Sequence, residues 1–245
     1  MTLENPPPDF SHRSAGIEIM DDLNCHGEVV HQTLRELEVI NRLLGGNGVT
    51  MEVMNQLLKK TPRQKSITVA DLGCGGGDML KLVADFGRKK NIPMKLFGID
   101  ANPHIIEFAQ RNCEAYPEIS FEAANVFSKD FQEKKFDIII GTLFYHHFQD
   151  SALVSLLSNL KNQAKLGLIV NDIHRHWFAY HSIKLLTRFF SRSAMVRFDA
   201  PLSVLRAFTK EELVRILKES GIVQYKIQWK WAFRWQILIQ GSIAS

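Results

Sequence analysis

The feature that most constrains the fold is the order in which hydrophobic periodicity changes along the chain. From Ser66 onward, short β-branched and apolar runs alternate with stretches of helical spacing. Ser66–Leu72, Met94–Ile99, Ile119–Ala123, Phe136–Thr142 and Leu166–Ile173 read as strands. Between them, Met79, Leu82, Val83 and Phe86 recur at i, i+3, i+4 and i+7, and Leu153, Leu156, Leu157 and Leu160 do the same. Strands separated by helices give βαβ units, and those give a parallel sheet with helices on both faces. Phe136–Thr142 is apolar almost throughout, as a strand buried on both faces should be. After a capping box at Thr209-x-x-Glu212, the last two strands, Ile222–Trp229 and Trp235–Gln240, are joined by a turn with no helix between them. That places a β-hairpin at one edge of the sheet.

With 245 residues, of which 45% are apolar and 23% charged, the chain can bury one sizeable core. No apolar stretch approaches the ~20 residues that cross a bilayer. The N-terminus has no basic region followed by an apolar one, so no secretory signal is expected. Cys25, Cys74 and Cys113 are odd in number and widely spaced, which suits a reducing cytoplasm. No CxxC is present, and no metal site is expected. A net charge of +4 is too weak to point to nucleic acid.

The most specific local signal is Asp71-Leu72-Gly73-Cys74-Gly75-Gly76-Gly77-Asp78, between the first strand and the next helix. Glycines there allow a tight turn and a close approach of ligand to backbone. Asp100 ends the second strand, where a carboxylate can accept both hydroxyls of a ribose. The loop is not the G-x-G-x-x-G cradle for a pyrophosphate. Asp71 and Asp78 are unfavourable beside a diphosphate and favourable beside an ammonium or sulfonium.

These residues, with Gly98-Ile99-Asp100 and Phe136-Asp137-Ile138-Ile139-Ile140, resemble class I S-adenosylmethionine-dependent methyltransferases, by motif over residues 66–173. The resemblance implies a Rossmann-like α/β fold with a seven-stranded, mostly parallel sheet whose last strand is antiparallel. It implies S-adenosyl-L-methionine as cofactor and S-adenosyl-L-homocysteine as product. Asp71, Gly73, Cys74, Gly75 and Gly77 would line the methionine portion, Asp100 would hold the ribose, and Ala101 and Asn102 would edge the adenine. Asn125 stands where many relatives have an Asp that accepts the adenine amino group, with Val126 beside it. Thr142 would lie next to the cofactor at the end of strand four.

After strand four comes Phe144-Tyr145-His146-His147-Phe148, not the Asn/Asp-Pro-Pro-aromatic motif of nucleic-acid and protein N-methyltransferases. The double histidine is similar to the ubiquinone/menaquinone-type methyltransferases, which act on phenolic or quinol rings. The expected acceptor is therefore a small, apolar, aromatic or quinone-like molecule, with O-methylation slightly favoured over C-methylation. An RNA or protein methyltransferase is one rival, and a nicotinamide-binding oxidoreductase or a non-catalytic nucleotide-binding module is another. Histidines at the carboxyl ends of strands are suited to take a phenolic proton near neutral pH. His146, His147, His174 and His176 are the candidate bases, and Asp172 could orient a histidine or the acceptor hydroxyl. Arg13 and Arg197 are possible carboxylate anchors.

Residues 1–62 are expected to form an N-terminal helical lid, and 63–245 the methyltransferase domain. Within that domain, residues 174–207 form a helical insertion. Its Trp177, Phe178, Tyr180, Ile183, Leu185, Leu186, Phe189 and Phe190 are expected to roof an acceptor pocket, with Lys184, Arg188 and Arg192 on the opposite side. A basic amphipathic stretch over 174–192 also suits peripheral contact with anionic lipid.

Overall fold

The computed structural model describes residues 7–59 and 66–241. Two helices, α1 (Glu28–Leu43) and α2 (Gly46–Lys59), precede the first strand. Strands β1 (Ile67–Leu72), β2 (Met94–Asp100), β3 (Ile119–Ala123), β4 (Phe136–Thr142) and β5 (Ala164–Ile173) then alternate with α3 (Asp78–Lys90), α4 (Pro103–Asn112), α5 (Lys129–Gln132) and α6 (Asp150–Gln163). Helices α7 (Trp177–Phe190), α8 (Ala194–Arg206) and α9 (Lys210–Glu219) lead to β6 (Tyr225–Lys230) and β7 (Arg234–Gln240).

The seven strands lie in the order β3-β2-β1-β4-β5-β7-β6. The first five pair in parallel, and β7 runs antiparallel to both β5 and β6. The winding direction reverses between β1 and β4, and in open α/β sheets that switch point opens the crevice where ligands bind. The expected fold class and edge hairpin are both present.

Local sequence explains the main boundaries. Asn102 caps α4 by accepting from the His104 amide at 2.9 Å, with Pro103 pre-shaped for the first turn. Thr209 and Glu212 make the reciprocal capping box of α9. Ile138, Ile139 and Ile140 of β4 are fully buried, as the run of apolar residues requires. One sheet face packs on Leu157, Leu160 and Ile216, the other on Met54, Leu80 and Val83.

The structure corrects several details. Helix α2 opens at Gly46, inside the Gly45-Gly46 pair. Gly45, at φ +70°, breaks the chain direction, but Gly46 opens α2, where a Cβ would lie 3.1 Å from the Arg234 guanidinium. Helix α2, expected in the lid, reaches the cavity described below through Asn47. It lies in the helical layer against β5 and β7, with Val53 and Met54 buried. Burial of such side chains stabilises by about 1.5–3 kcal/mol each. Polar pins fix its start: Asn171 Nδ2 donates to Gly46 O at 2.8 Å and Gln236 Nε2 to Val49 O at 2.7 Å. Strand β6 starts at Tyr225 instead of Ile222, because Ile222 turns into the core after α9. The boundary expected at residue 62 lies outside the described residues. Among the described residues, no helix is long and apolar enough to cross a membrane.

Candidate functional site

The site forms at the carboxyl ends of β1, β2 and β4. After β1, the Gly73 and Cys74 amides both donate to Ile99 O, at 2.8 and 3.1 Å, which ties the loop to β2. Gly73 has φ +64°, and a Cβ there would lie 2.4 Å from Phe144 Cδ2, so both conformation and space require glycine. Beyond this loop opens a cavity of about 550 Å³, within the range of small-molecule sites. Its lining includes Asp71, Gly73, Cys74, Gly75, Gly76, Asp100, Ala101 and Thr142, together with the apolar Ile17, Met20, Leu23, Leu34, Leu37 and Phe148. A second cavity of about 270 Å³ shares Gly73, Asp100 and Ala101 with the first and is lined by Asn125, Val126 and Phe127.

Two residues expected at the cofactor line neither cavity. Gly77, at φ +80°, starts α3 and makes room for Cys113 Sγ, which a Cβ would approach to 2.7 Å. Asn102 is 1% exposed, its side chain spent on capping α4 and on donating to Cys25 O at 2.9 Å. Asn125 borders the second cavity, but its Oδ1 already accepts from the Phe127 amide at 2.9 Å. The glycine missed in the sequence, Gly76, does line the site.

Burial works against charge on the acids of this lining. Burial, then the neighbouring Asp100 and Asp78, push the Asp71 carboxyl up to about 8. Burial also raises Asp100, against the backbone amides of Asn102 and Gly75 that bond it. Lys81 pairs with Asp78 at 2.8 Å, whereas Asp71 and Asp100 have no ion-pair partner among the described residues. Two carboxyl groups without a cation partner among the described residues, beside bare backbone, fit a ligand that brings positive charge and hydroxyl groups.

At the far side of Phe144, the chain turns sharply. Leu143 takes φ +55°, a strained conformation for a branched side chain, and its amide donates to Asn171 O at 2.8 Å. The turn Tyr145–His147 follows. Asp172 Oδ2 accepts the amides of Tyr145 and His146, and Oδ1 lies 2.7 Å from His146 Nδ1. Although burial raises the Asp172 carboxyl, the charge and hydrogen bond of His146 outweigh it and hold the group below the usual range. His146 is 2% exposed and does not line the cavity; its Nε2 points at Glu18 Oε1, 3.6 Å away. His147 does line the cavity, with Nδ1 2.6 Å from Asp21 Oδ1. An ionised Asp21 accepts a hydrogen bond from Nδ1–H, which leaves Nε2 as the acceptor nitrogen of the ring. Burial opposes that ionisation, but hydrogen bonds from His147 and Arg206 bring Asp21 well below the ordinary carboxylate range.

Arg206 supplies the positive charge of this cluster. Its Nη1 pairs with Asp21, lies 3.5 Å from Glu18 Oε1, and Nη2 donates to His147 O at 2.6 Å. Burial nonetheless raises Glu18 to about 7, against His147 and Arg206. Glu18, Asp21 and Arg206 were not singled out in the sequence. The only available signal was acids in an otherwise irregular segment, Glu18 to Asp22.

His174, expected near the reaction, lines neither cavity. It accepts from Trp229 Nε1 at 3.2 Å and packs its ring 4.9 Å from Trp235. His176 caps α7. Arg13 bonds Asp150 and the carbonyls of His146 and Phe148, and Arg197 is exposed, so neither anchors a ligand in the cavity. From the insertion 174–207, only Arg206 reaches the cavity. Helix α7 buries Ala179 and Thr187 and turns its aromatic residues outward, so the roof is formed by Ala15–Leu23 together with α1.

A family model described as a methyltransferase domain matches residues 63–222. The chain belongs to this methyltransferase-domain family, and the cofactor of its fold and site is S-adenosylmethionine. No curated protein matches the chain. Among solved structures, it is similar to the plantazolicin methyltransferase BpumL in complex with a triazolic desmethylPZN analog and SAH. That match has a TM-score of 0.62 at 17% identity, over 86% of this chain and 90% of that one. It is also similar to the CurJ carbon methyltransferase, with a TM-score of 0.61 at 14% identity over 80% of this chain and 54% of that one. The citrinin polyketide synthase CMeT domain gives 0.59 at 15% identity, over 77% and 50%. The chain thus spans about half the length of these last two. At such identities the likeness is one of fold.

Proposed function

We propose that the chain transfers a methyl group from S-adenosylmethionine to a hydroxyl on a small, apolar, aromatic or quinone-like acceptor. The observation that carries this reading is one cavity lined both by the glycine loop with Asp71 and Asp100 and by apolar side chains, with His147 in the same lining. The bound cofactor supplies an electrophilic methyl on a sulfonium. Asp71, Asp100 and the loop Gly73–Gly76 would hold it, with Asn125 and Val126 beside the adenine. Ile17, Met20, Leu23 and Phe148 would hold the ring of the acceptor and exclude water. His147 Nε2 takes the acceptor proton as the oxygen becomes a nucleophile, and Asp21 keeps the imidazole in the tautomer that can do so. Asp172 and His146 act as positioning residues that fix the turn carrying His147. Carbon methylation, as in the name of the CurJ neighbour, needs the same proton removal from an acidic carbon. The His147–Asp21 pair does not distinguish the two acceptor atoms.

RNA and protein acceptors fit less well, because the segment Ala15–Leu23 roofs the cavity. The test is a panel of phenols, catechols and quinols assayed for S-adenosylhomocysteine formation, with the methylated atom read by NMR. Titration calorimetry with S-adenosylmethionine, S-adenosylhomocysteine and NADH runs beside it. His147→Ala should lower turnover by roughly 10²–10⁴-fold, the range for a positioned base, with cofactor affinity within a few-fold. Full activity of that variant would overturn the assignment, as would tighter binding of NADH than of either sulfur compound.

A further inference from the structure

Helix α7 buries one side against its neighbours and leaves the other in solvent. Phe178, Leu185 and Phe189 follow at i, i+7 and i+11 and are 51%, 59% and 71% exposed. Beside this apolar strip runs a second one, Trp177, His181, Lys184 and Arg188 at i, i+4, i+7 and i+11, also exposed. Thus the basic residues do not oppose the aromatic ones, as the sequence suggested, but flank them on the same outer surface. At the start of α7, Phe178 meets Phe233 of the β6–β7 turn at 5.9 Å, and Trp229 meets Phe233 at 6.0 Å. That turn holds Ala232 and Phe233 at φ +60° and +56° and projects Trp231 into solvent, 75% exposed. The chain has four tryptophans. Three of them, Trp177, Trp229 and Trp231, are exposed on this face, while Trp235 is buried.

The free charges carried by α7 itself are of one sign, Lys184 and Arg188, with the exposed Glu211 of α9 near His174. Between His174 and Arg206 the sequence has one acid, Asp199, which is buried and accepts the Ile19 and Met20 amides. Glu36 of the adjoining α1 is engaged by Ser191 and the amides of Arg192 and Ser193, and Glu52 is paired with Lys230. Exposed aromatic side chains beside lysine and arginine, on a helix lying flat against its domain, match the chemistry of a bilayer interface with anionic lipid. A second copy of the chain, docked face to face on a two-fold axis, would set these cations against their own counterparts.

We propose that the outer face of α7, with the β6–β7 turn, docks on the surface of an anionic phospholipid bilayer. The aromatic side chains enter the headgroup region, and Lys184 and Arg188 face the lipid phosphates. This inference does not rest on the methyl-transfer reading.

The test uses the full chain with vesicles of phosphatidylcholine, with or without phosphatidylglycerol. Sedimentation should bring the protein down with the anionic vesicles far more than with the neutral ones, and added salt should weaken the binding. Because three tryptophans sit on the face, their emission should shift to the blue on binding, a readout that needs no variant. Lys184→Gln with Arg188→Gln should weaken binding by roughly fivefold for each charge removed. Phe178→Ser with Phe189→Ser should reduce it further, and cofactor affinity should stay unchanged in both. Absence of binding and of any spectral shift would overturn the proposal. So would equal binding to neutral vesicles, or light scattering showing a dimer that the Phe178→Ser/Phe189→Ser variant dissociates.

Discussion

Asp71 gives the sharpest quantitative expectation, because its environment makes cofactor binding depend on pH. In the ligand-free cavity its carboxyl is raised to about 8 by burial and by Asp100 and Asp78, from an unfolded value of 3.8. The folded state therefore holds more protons than the unfolded state between these two values. Stability of the ligand-free protein should consequently fall as pH rises from about 4 to about 8. A cation bound nearby favours the ionised carboxylate, so at pH 6 to 7.5 binding must expel a proton. Affinity for S-adenosylmethionine should then rise with pH by up to about tenfold per unit, equivalent to ~1.4 kcal/mol. Above that window the α-amino group of the cofactor, with an ordinary value near ~7.7–8.0, begins to lose its own charge. Calorimetry in two buffers of different ionisation enthalpy measures the protons released; a value near one is expected at the lower end of the window. Asp71→Asn should flatten the profile and abolish the release. A dissociation constant that does not change with pH in the wild-type protein would refute the reasoning.

Removing the Asp100 carboxylate by Asp100→Ala should weaken cofactor binding by about 1–3 kcal/mol, the cost of leaving buried hydroxyl partners unpaired; calorimetry showing no change would discount its role. Asp21→Asn should lower kcat less than His147→Ala, and the double variant should be no slower than His147→Ala alone, since Asp21 acts through the imidazole; additive losses would contradict that order. Asp172→Ala strands His146 and the two amides it holds, so a loss of about 3–5 kcal/mol is expected in denaturant unfolding, whereas a change near zero would mean that the turn is held by other contacts.

The sheet was legible because its signals are local. The period-2 and apolar runs of β1 to β5, the caps at Asn102 and Thr209, and the glycines after β1 each act within a few residues. That Asp71, Gly73 and Asp100 line one cavity was legible for the same reason: a strand end fixes where a side chain sits. The cluster around the two histidines was only half visible. His146 and His147 adjoin in sequence, but their roles separate only in space, where Asp172 buries one and Asp21 orients the other in the cavity. Glu18 and Asp21 come from a segment without regular periodicity, brought to the site by Asp199 and Arg206 from almost two hundred residues away. Helix α7 misled because amphipathic spacing shows that a helix has distinct faces and not which face meets the domain. Asn102 and Gly77 misled because a residue beside a cofactor motif can serve the motif's own folding.

The covering strand of chain over the cavity and the group that takes the proton are joined by one short bond, between Asp21 and His147. Were residues 15–23 to move away from the cavity, that bond would break, and with it the contact of Asp21 to Arg206. On the proposed mechanism the imidazole would then be free to exchange tautomers, so the same contact that covers the cavity would also set the base, as a latch that closes a circuit.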